Sequence, residues 1–128
     1  MENIFDSFDS GRLDLPGGEL LISEAQWKAH PDFKGVEIKA AVTGADTGGK
    51  FSCHLVRIAP GCEIGEHIHK EQTELHEVMD GSGICINEGV QIRYECGVLS
   101  VMREGTPHRV VAGEKGLRLF AKFVPALC

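Results

Sequence analysis

The chain has 128 residues, enough for one domain, and sets 13 Lys+Arg against 19 Asp+Glu for a formal charge of −6. An acidic chain with no Lys/Arg cluster argues against nucleic acid or an anionic membrane as partner, and no apolar run approaches the ~20 residues of a bilayer span. Met1–Gly18 lacks a basic stretch followed by an apolar one, and Cys53, Cys62, Cys85, Cys96 and Cys128 are irregularly spaced with no C-x-x-C, so reduced thiols in a cytoplasmic protein are expected.

In chain order, Met1–Pro16 carries only scattered apolar residues (Ile4, Phe5, Phe8, Leu13, Leu15) and reads as an arm that orders by docking. Glu19–Ile22 reads as an edge strand. Ser23, with Gln26 three residues on, resembles a capping box and predicts a short helix over 23–30, closed by Pro31. Residues 1–35 therefore form an arm, an edge strand and one short helix, and 36–128 a β domain. Its predicted strands are Val36–Val42, Phe51–Ile58, Glu74–Met79, Gly83–Asn87, Val90–Tyr94, Val98–Met102, His108–Val111 and Leu117–Val124. Thr43–Lys50 and Asn87–Gly89 read as hairpin turns. In the last strand Leu117, Leu119, Ala121 and Phe123 share a face, and earlier Ser52, His54, Val56 and Ile58 share another. Many short strands at this spacing favour an all-β sandwich or barrel over a βαβ fold. Both faces of several strands are partly apolar, which predicts a homodimer.

The chemistry concentrates in Gly61–Gly81. His67 and His69 alternate with Ile68, so a strand would project both to one side; Glu74 and His76 form a second such pair after a turn through Lys70–Thr73. Two antiparallel strands would set the pairs opposite each other, within reach of one ion. His108, behind the rigid Gly105-Thr106-Pro107 turn, would add a ligand from another strand. Four such polar groups are hard to explain as a core, since unpaired buried polar groups are costly. Imidazole and carboxylate together suit a divalent transition metal (Fe, Mn, Ni or Zn) better than Ca or Mg. His76 shares the Glu74 face and reads either as a catalytic general base or as a hydrogen-bonding partner that orients Glu74. His54 also faces the expected interior. Arg57, Arg109 and Arg118 read as solvated, and with one Trp and one Tyr a small polar ligand fits better than a large stacked one.

The same residues resemble the two cupin motifs. Gly61, His67, His69, Glu74 and Gly81 fill all five positions of the first, G-x5-H-x-H-x3,4-E-x6-G. Gly97, Gly105 and His108 match the second, which here has Arg103 in place of Pro and Ala112 in place of Asn. The resemblance implies a cupin-type double-stranded β-helix or jelly-roll barrel, with metal ligands His67, His69, Glu74 and His108. It does not choose a reaction, because the family includes oxygenases, isomerases, decarboxylases and non-catalytic binding modules. Expected is an open metal site with oxygenase or isomerase chemistry on a small polar molecule, or else binding and sensing without turnover.

Overall fold

The computed structural model describes residues 3–128, so the first two residues of the expected arm lie outside it. The elements are α1 (Ile4–Asp9), β1 (Arg12–Leu15), β2 (Gly18–Leu21), a 3-10 turn (Ile22–Glu24), β3 (Lys28–Ala29), β4 (Val36–Val42), α2 (Gly44–Thr47), β5 (Ser52–Ile58), β6 (Glu63–His67), β7 (Thr73–Asn87), β8 (Val90–Glu95), β9 (Leu99–Met102) and β10 (His108–Val124). No helix among the described residues is long and apolar enough to cross a membrane.

The all-β expectation holds, and β7 and β10 explain how the sheet rolls up. Each was expected as two strands, and each instead runs unbroken through both walls of a barrel. In one wall the order is β3-β4-β5-β10-β7-β9, using Leu117–Val124 of β10 and Thr73–Gly81 of β7. In the other it is β6-β10-β7-β8, using His108–Ala112 and Gly83–Asn87. The crossing between walls depends on glycine. A Cβ on Gly81 would lie 2.2 Å from the Gly116 carbonyl oxygen, and Gly81 has a φ of 82°, a conformation natural only to glycine. A register shift between Ala112 and Leu117 accompanies the bend.

The barrel interior is filled by Val36, Val56, Ile58, Ile64, Val78, Cys85, Tyr94, Met102, Val110, Leu117, Leu119, Ala121 and Phe123. The expected one-face set of β10, from Leu117 to Phe123, is thus inside. The other face of the first wall carries a second apolar cluster, Phe5, Ile22, Leu55 and Met79, with Trp27, Ala41 and Phe120 against it. The arm supplies this cover. Asn3 caps α1 by accepting from the Asp6 N–H, and Phe5 and Phe8 meet the Trp27 and Phe120 rings. The arm therefore holds a helix and the strand β1 that its sparse apolar pattern did not signal, while β2, which pairs with β1, is the strand expected over Glu19–Ile22, begun one residue earlier.

The helix expected over 23–30 is absent. A single 3-10 turn occupies Ile22–Glu24, and Lys28 and Ala29 extend to pair with Ile38 and Glu37. A tertiary pairing plus burial of Trp27 against Phe5 outweighs the weak local capping signal. Thr43–Lys50 does connect two antiparallel strands, but as a turn of helix, α2, with the Asp46 carboxylate accepting from the Thr43 N–H and hydroxyl.

Candidate metal centre

The inward face of the first wall can be followed row by row across the strands. One row runs Ser52, Phe123, Glu74, Met102; the next runs Ala40, His54, Ala121, His76, Ser100. The polar interior groups of this wall fall in these two rows at one end of the barrel. Beyond them Ile38, Val56, Leu119 and Val78 are wholly apolar. From the second wall, His67 and His108 are direct cross-strand partners on β6 and β10.

The ligand geometry thus differs from the expected hairpin. β6 pairs with β10 and not with β7, so His67 and His69 do not lie across a hairpin from Glu74 and His76. β6 ends at His67, and His69 sits in the following connection, whose carbonyl accepts from the Gly105 N–H at 2.8 Å. That bond ties the loop carrying His69 to the turn that launches His108. The convergence comes from opposite walls closing on each other. One donor atom from each of His67, His69, Glu74 and His108 lies within 4.8 Å of the others.

The hydrogen bonds around these donors set which atoms face inward. His67 donates from Nδ1 to the Gly65 carbonyl at 2.8 Å, which leaves Nε2 with a lone pair. Gly65 is also where a Cβ would strike the Phe33 ring, at 2.8 Å. Burial pushes the His67 imidazole below its ordinary value, partly offset by the Gly65 bond and deepened by the His108 and His69 charges, so the neutral, ligating form is favoured. His108 directs Nδ1 at the Thr106 carbonyl, 3.3 Å away, while its Nε2 lies 3.1 Å from Glu74 Oε1. His69 Nε2 is 3.4 Å from the same oxygen.

Glu74 is 5% exposed. Burial alone would raise its carboxyl; the charge of His76 and the hydrogen bonds from His108, His69 and His76 outweigh that and hold it well below the usual carboxylate range. Its other oxygen, Oε2, accepts from His76 Nε2 at 2.7 Å, and His76 Nδ1 meets the Tyr94 hydroxyl at 2.9 Å. Tyr94 is fully buried, and burial pushes its phenol upward, so it remains a protonated donor. A chain Tyr94–His76–Glu74 therefore fixes the carboxylate from behind. Tyr94 is the member that sequence reasoning missed. Its signal was slight: an inward position on an otherwise exposed strand, β8.

The donor set fits a metal ion on its own chemistry. His108 has an acceptor at each nitrogen, the Thr106 carbonyl at Nδ1 and Glu74 Oε1 at Nε2, and an imidazole with a single N–H can serve only one of them. A cation bound by Nε2 and Oε1 would leave Nδ1–H for the carbonyl, and the three imidazoles with one carboxylate match the preferences of zinc, iron, nickel and manganese. The arginines take no part. Arg57 pairs with Glu37, Arg109 with Glu63 and Arg118 with Asp80. Arg103, where the motif has Pro, makes a two-pronged pair with Glu88. All five cysteines are free, and none belongs to the His/Glu cluster.

In front of the cluster is a chamber of about 100 Å³, lined among others by His54, Val56, Ile64, Ala121 and Phe123. It is small beside the ~300–1,000 Å³ of sites for drug-sized ligands. It shares His30, Ile38, His54 and Leu127 with an outer groove of about 490 Å³.

Known proteins agree with this architecture. KdgF from Halomonas sp. superposes with a TM-score of 0.70 at 22% identity, covering 80% of this chain and 88% of that one. A predicted oxalate decarboxylase from Thermotoga maritima gives 0.71 at 19% identity, covering 80% and 95%. The polyketide cyclase RemF from Streptomyces resistomycificus gives 0.68 at 18%, covering 80% and 75%. At such identities the likeness is one of fold, and the names differ in chemistry. No curated protein matches the sequence. The cupin domain model matches residues 54–121, more than half of the chain and all four convergent side chains. On that match, and on the barrel that carries it, the chain belongs to the cupin family.

Proposed function

We propose that this protein is a metal-dependent cupin acting on a small polar molecule at an open site. The observation that carries the reading is the convergence of His67, His69, Glu74 and His108 beside a chamber of about 100 Å³. These four would hold one divalent Fe, Mn, Ni or Zn ion through three imidazole nitrogens and Glu74 Oε1. When bound, such an ion carries a net charge of about +1 and supplies a Lewis acid with coordination positions to spare, able to polarise a carbonyl or, if ferrous, to support oxygenase chemistry.

The chain's own residues do the rest. His67 and His108 keep their ring orientation through the Gly65 and Thr106 carbonyls. His76 acts as a positioning residue: both its nitrogens are engaged, one on Glu74 and one on Tyr94, so it steers the carboxylate. Ile38, Val56, Ile64 and Phe123 keep the chamber apolar, which strengthens any electrostatic contact made inside it. The volume favours a compound of a few carbons, on which isomerase or oxygenase chemistry is the reading we adopt.

The test is metal content after purification in metal-free buffer and reloading, followed by oxygen uptake and product analysis with a panel of small acids and sugars. One equivalent of metal, lost in His69→Ala, supports the site; turnover that disappears with the metal supports an enzyme. Saturable binding without turnover would instead favour a sensing module. No bound metal at any loading would overturn the reading.

A further inference from the structure

His54 is the one buried imidazole of the chamber wall that the metal cluster does not use. It is 3% exposed and lines both the inner chamber and the outer groove. Its two cross-strand neighbours are alanines, Ala40 and Ala121, and the Phe123 ring meets it edge-on with centroids 5.3 Å apart, so the room beside the ring lies over the alanines. Across Ala121 in the same row stands His76, which holds Glu74. A molecule resting over Ala121 would therefore have the Glu74 end of the cluster on one side and His54 on the other.

The tautomer of His54 follows from its neighbours. Nε2 lies 2.9 Å from the Ser52 hydroxyl, and that hydroxyl accepts the Leu127 N–H, also at 2.9 Å. Ser52 is fully buried, and His54 Nε2 is the acceptor within reach of its O–H among the described residues. Leaving that hydrogen without an acceptor would be costly, so the O–H donates to Nε2. A neutral ring that accepts at Nε2 carries its hydrogen on Nδ1. Nδ1 has no hydrogen-bond partner among the described residues. Burial pulls the ring below its ordinary pKa, partly opposed by the Glu74 charge, which agrees with the neutral form.

We propose that His54 is a ligand-binding residue whose Nδ1–H donates to an oxygen of a small carboxylate or carbonyl compound, the other end of which faces the His67–His69–Glu74–His108 cluster. This rests on the metal-site reading above and narrows it. A metal centre of net positive charge at one end and a neutral donor at the other suit an anion or polarised carbonyl of two to four carbons. Lys28, in the wall of the outer groove, places a positive charge near the approach. The Ser52–Leu127 bond fastens the C-terminal segment to the same relay, so a residue that lines the chamber also helps set the ring's tautomer.

The experiment uses zinc-loaded protein, which is diamagnetic, with pyruvate, glycolate and acetate as probes. Nitrogen-15 histidine spectra should show His54 as the Nδ1–H tautomer, with that proton moving downfield when a probe binds. His54→Phe should weaken the best probe about tenfold or more, as expected for a hydrogen bond to a charged acceptor. His54→Asn, whose amide nitrogen can stand near the Nδ1 position, should recover most of that loss. Zinc affinity should stay within about twofold in both variants. An Nε2–H tautomer, unchanged probe affinity in a zinc-loaded His54→Phe protein, or no binding of any of the three probes to the zinc-loaded native protein would overturn this inference and leave the metal site standing. Failure of the native protein to take up zinc would overturn both.

Discussion

The two faces of the first wall each bury a charged group, and they treat it in opposite ways. On the outer face Lys39 is 3% exposed, and its ammonium meets Asp9 at 2.5 Å and the Ile22 carbonyl at 3.0 Å, with the Trp27 ring nearby. One cation there faces one anion and one carbonyl acceptor. On the inner face a single carboxylate, Glu74, gathers three imidazoles, and a fourth, His67, stands next to them. There four imidazoles share a single carboxylate. A balanced buried pair fastens the arm to the barrel; an unbalanced cluster is what a cation would complete.

The strongest way to break the contrast is to substitute the anion at its centre. Glu74→Gln keeps the shape but removes the charge, and should weaken zinc or manganese binding about 100-fold or more, about 2.7 kcal/mol. Competition against a chelator measures it, and circular dichroism should show the barrel intact. Equal metal affinity in Glu74→Gln would place the ion elsewhere. On the other face, Lys39→Met should lower folding stability by about 2 kcal/mol in urea, because Asp9 loses its partner while remaining half-sheltered. Metal affinity should not move. If balance is the point, Asp9→Asn in the Lys39→Met background should regain part of the loss. A metal affinity that fell with Lys39 would mean the faces are coupled.

A third change sharpens the comparison within the inner face. Tyr94→Phe deletes the hydroxyl that steadies His76, two steps from the proposed ion. Loss of such an outer partner typically weakens metal binding by 10–100-fold, and about tenfold is expected here, since the His76–Glu74 bond survives. An unchanged metal affinity would show that packing alone holds His76.

How much of this was legible follows the same division. The inner face was readable because alternation on β5 and β10 and the offsets between His67, His69, Glu74 and His108 are properties of the chain itself. What the offsets did not carry was which strands pair. They suggest a hairpin, whereas the ligands come from two walls that β7 and β10 both traverse, a consequence of the bend at Gly81 and Gly116. Tyr94 reaches His76 from β8, the strand that follows β7, but its cross-strand partner there is Gly83 in the second wall, so no local pattern could announce the contact. The outer face was nearly opaque. Phe5, Ile22 and Trp27 are widely spaced, and a helix as short as α1 is held by docking rather than by periodicity. Lys39 looks like any surface lysine until Asp9 is brought to it.

The smallest expected effect involves a buried thiol on each face. Cys53 alternates with His54 and points outward from the first wall, while Cys85 sits in the barrel core; burial raises both, with Lys122 opposing it at Cys53 and the Tyr94 hydrogen bond opposing it at Cys85. A raised thiol favours the protonated form in the fold. Its contribution to stability is therefore fully present below the ordinary value of 9.0 and is lost as pH rises from there toward the folded value. Above pH 9 the two together should appear as a falling urea midpoint. Cys53→Ala and Cys85→Ala should each flatten about half of the slope, because burial acts alike on both faces even where charge does not. A midpoint that held steady from pH 7 to 9.5 would show that these thiols ionise as freely in the fold as out of it.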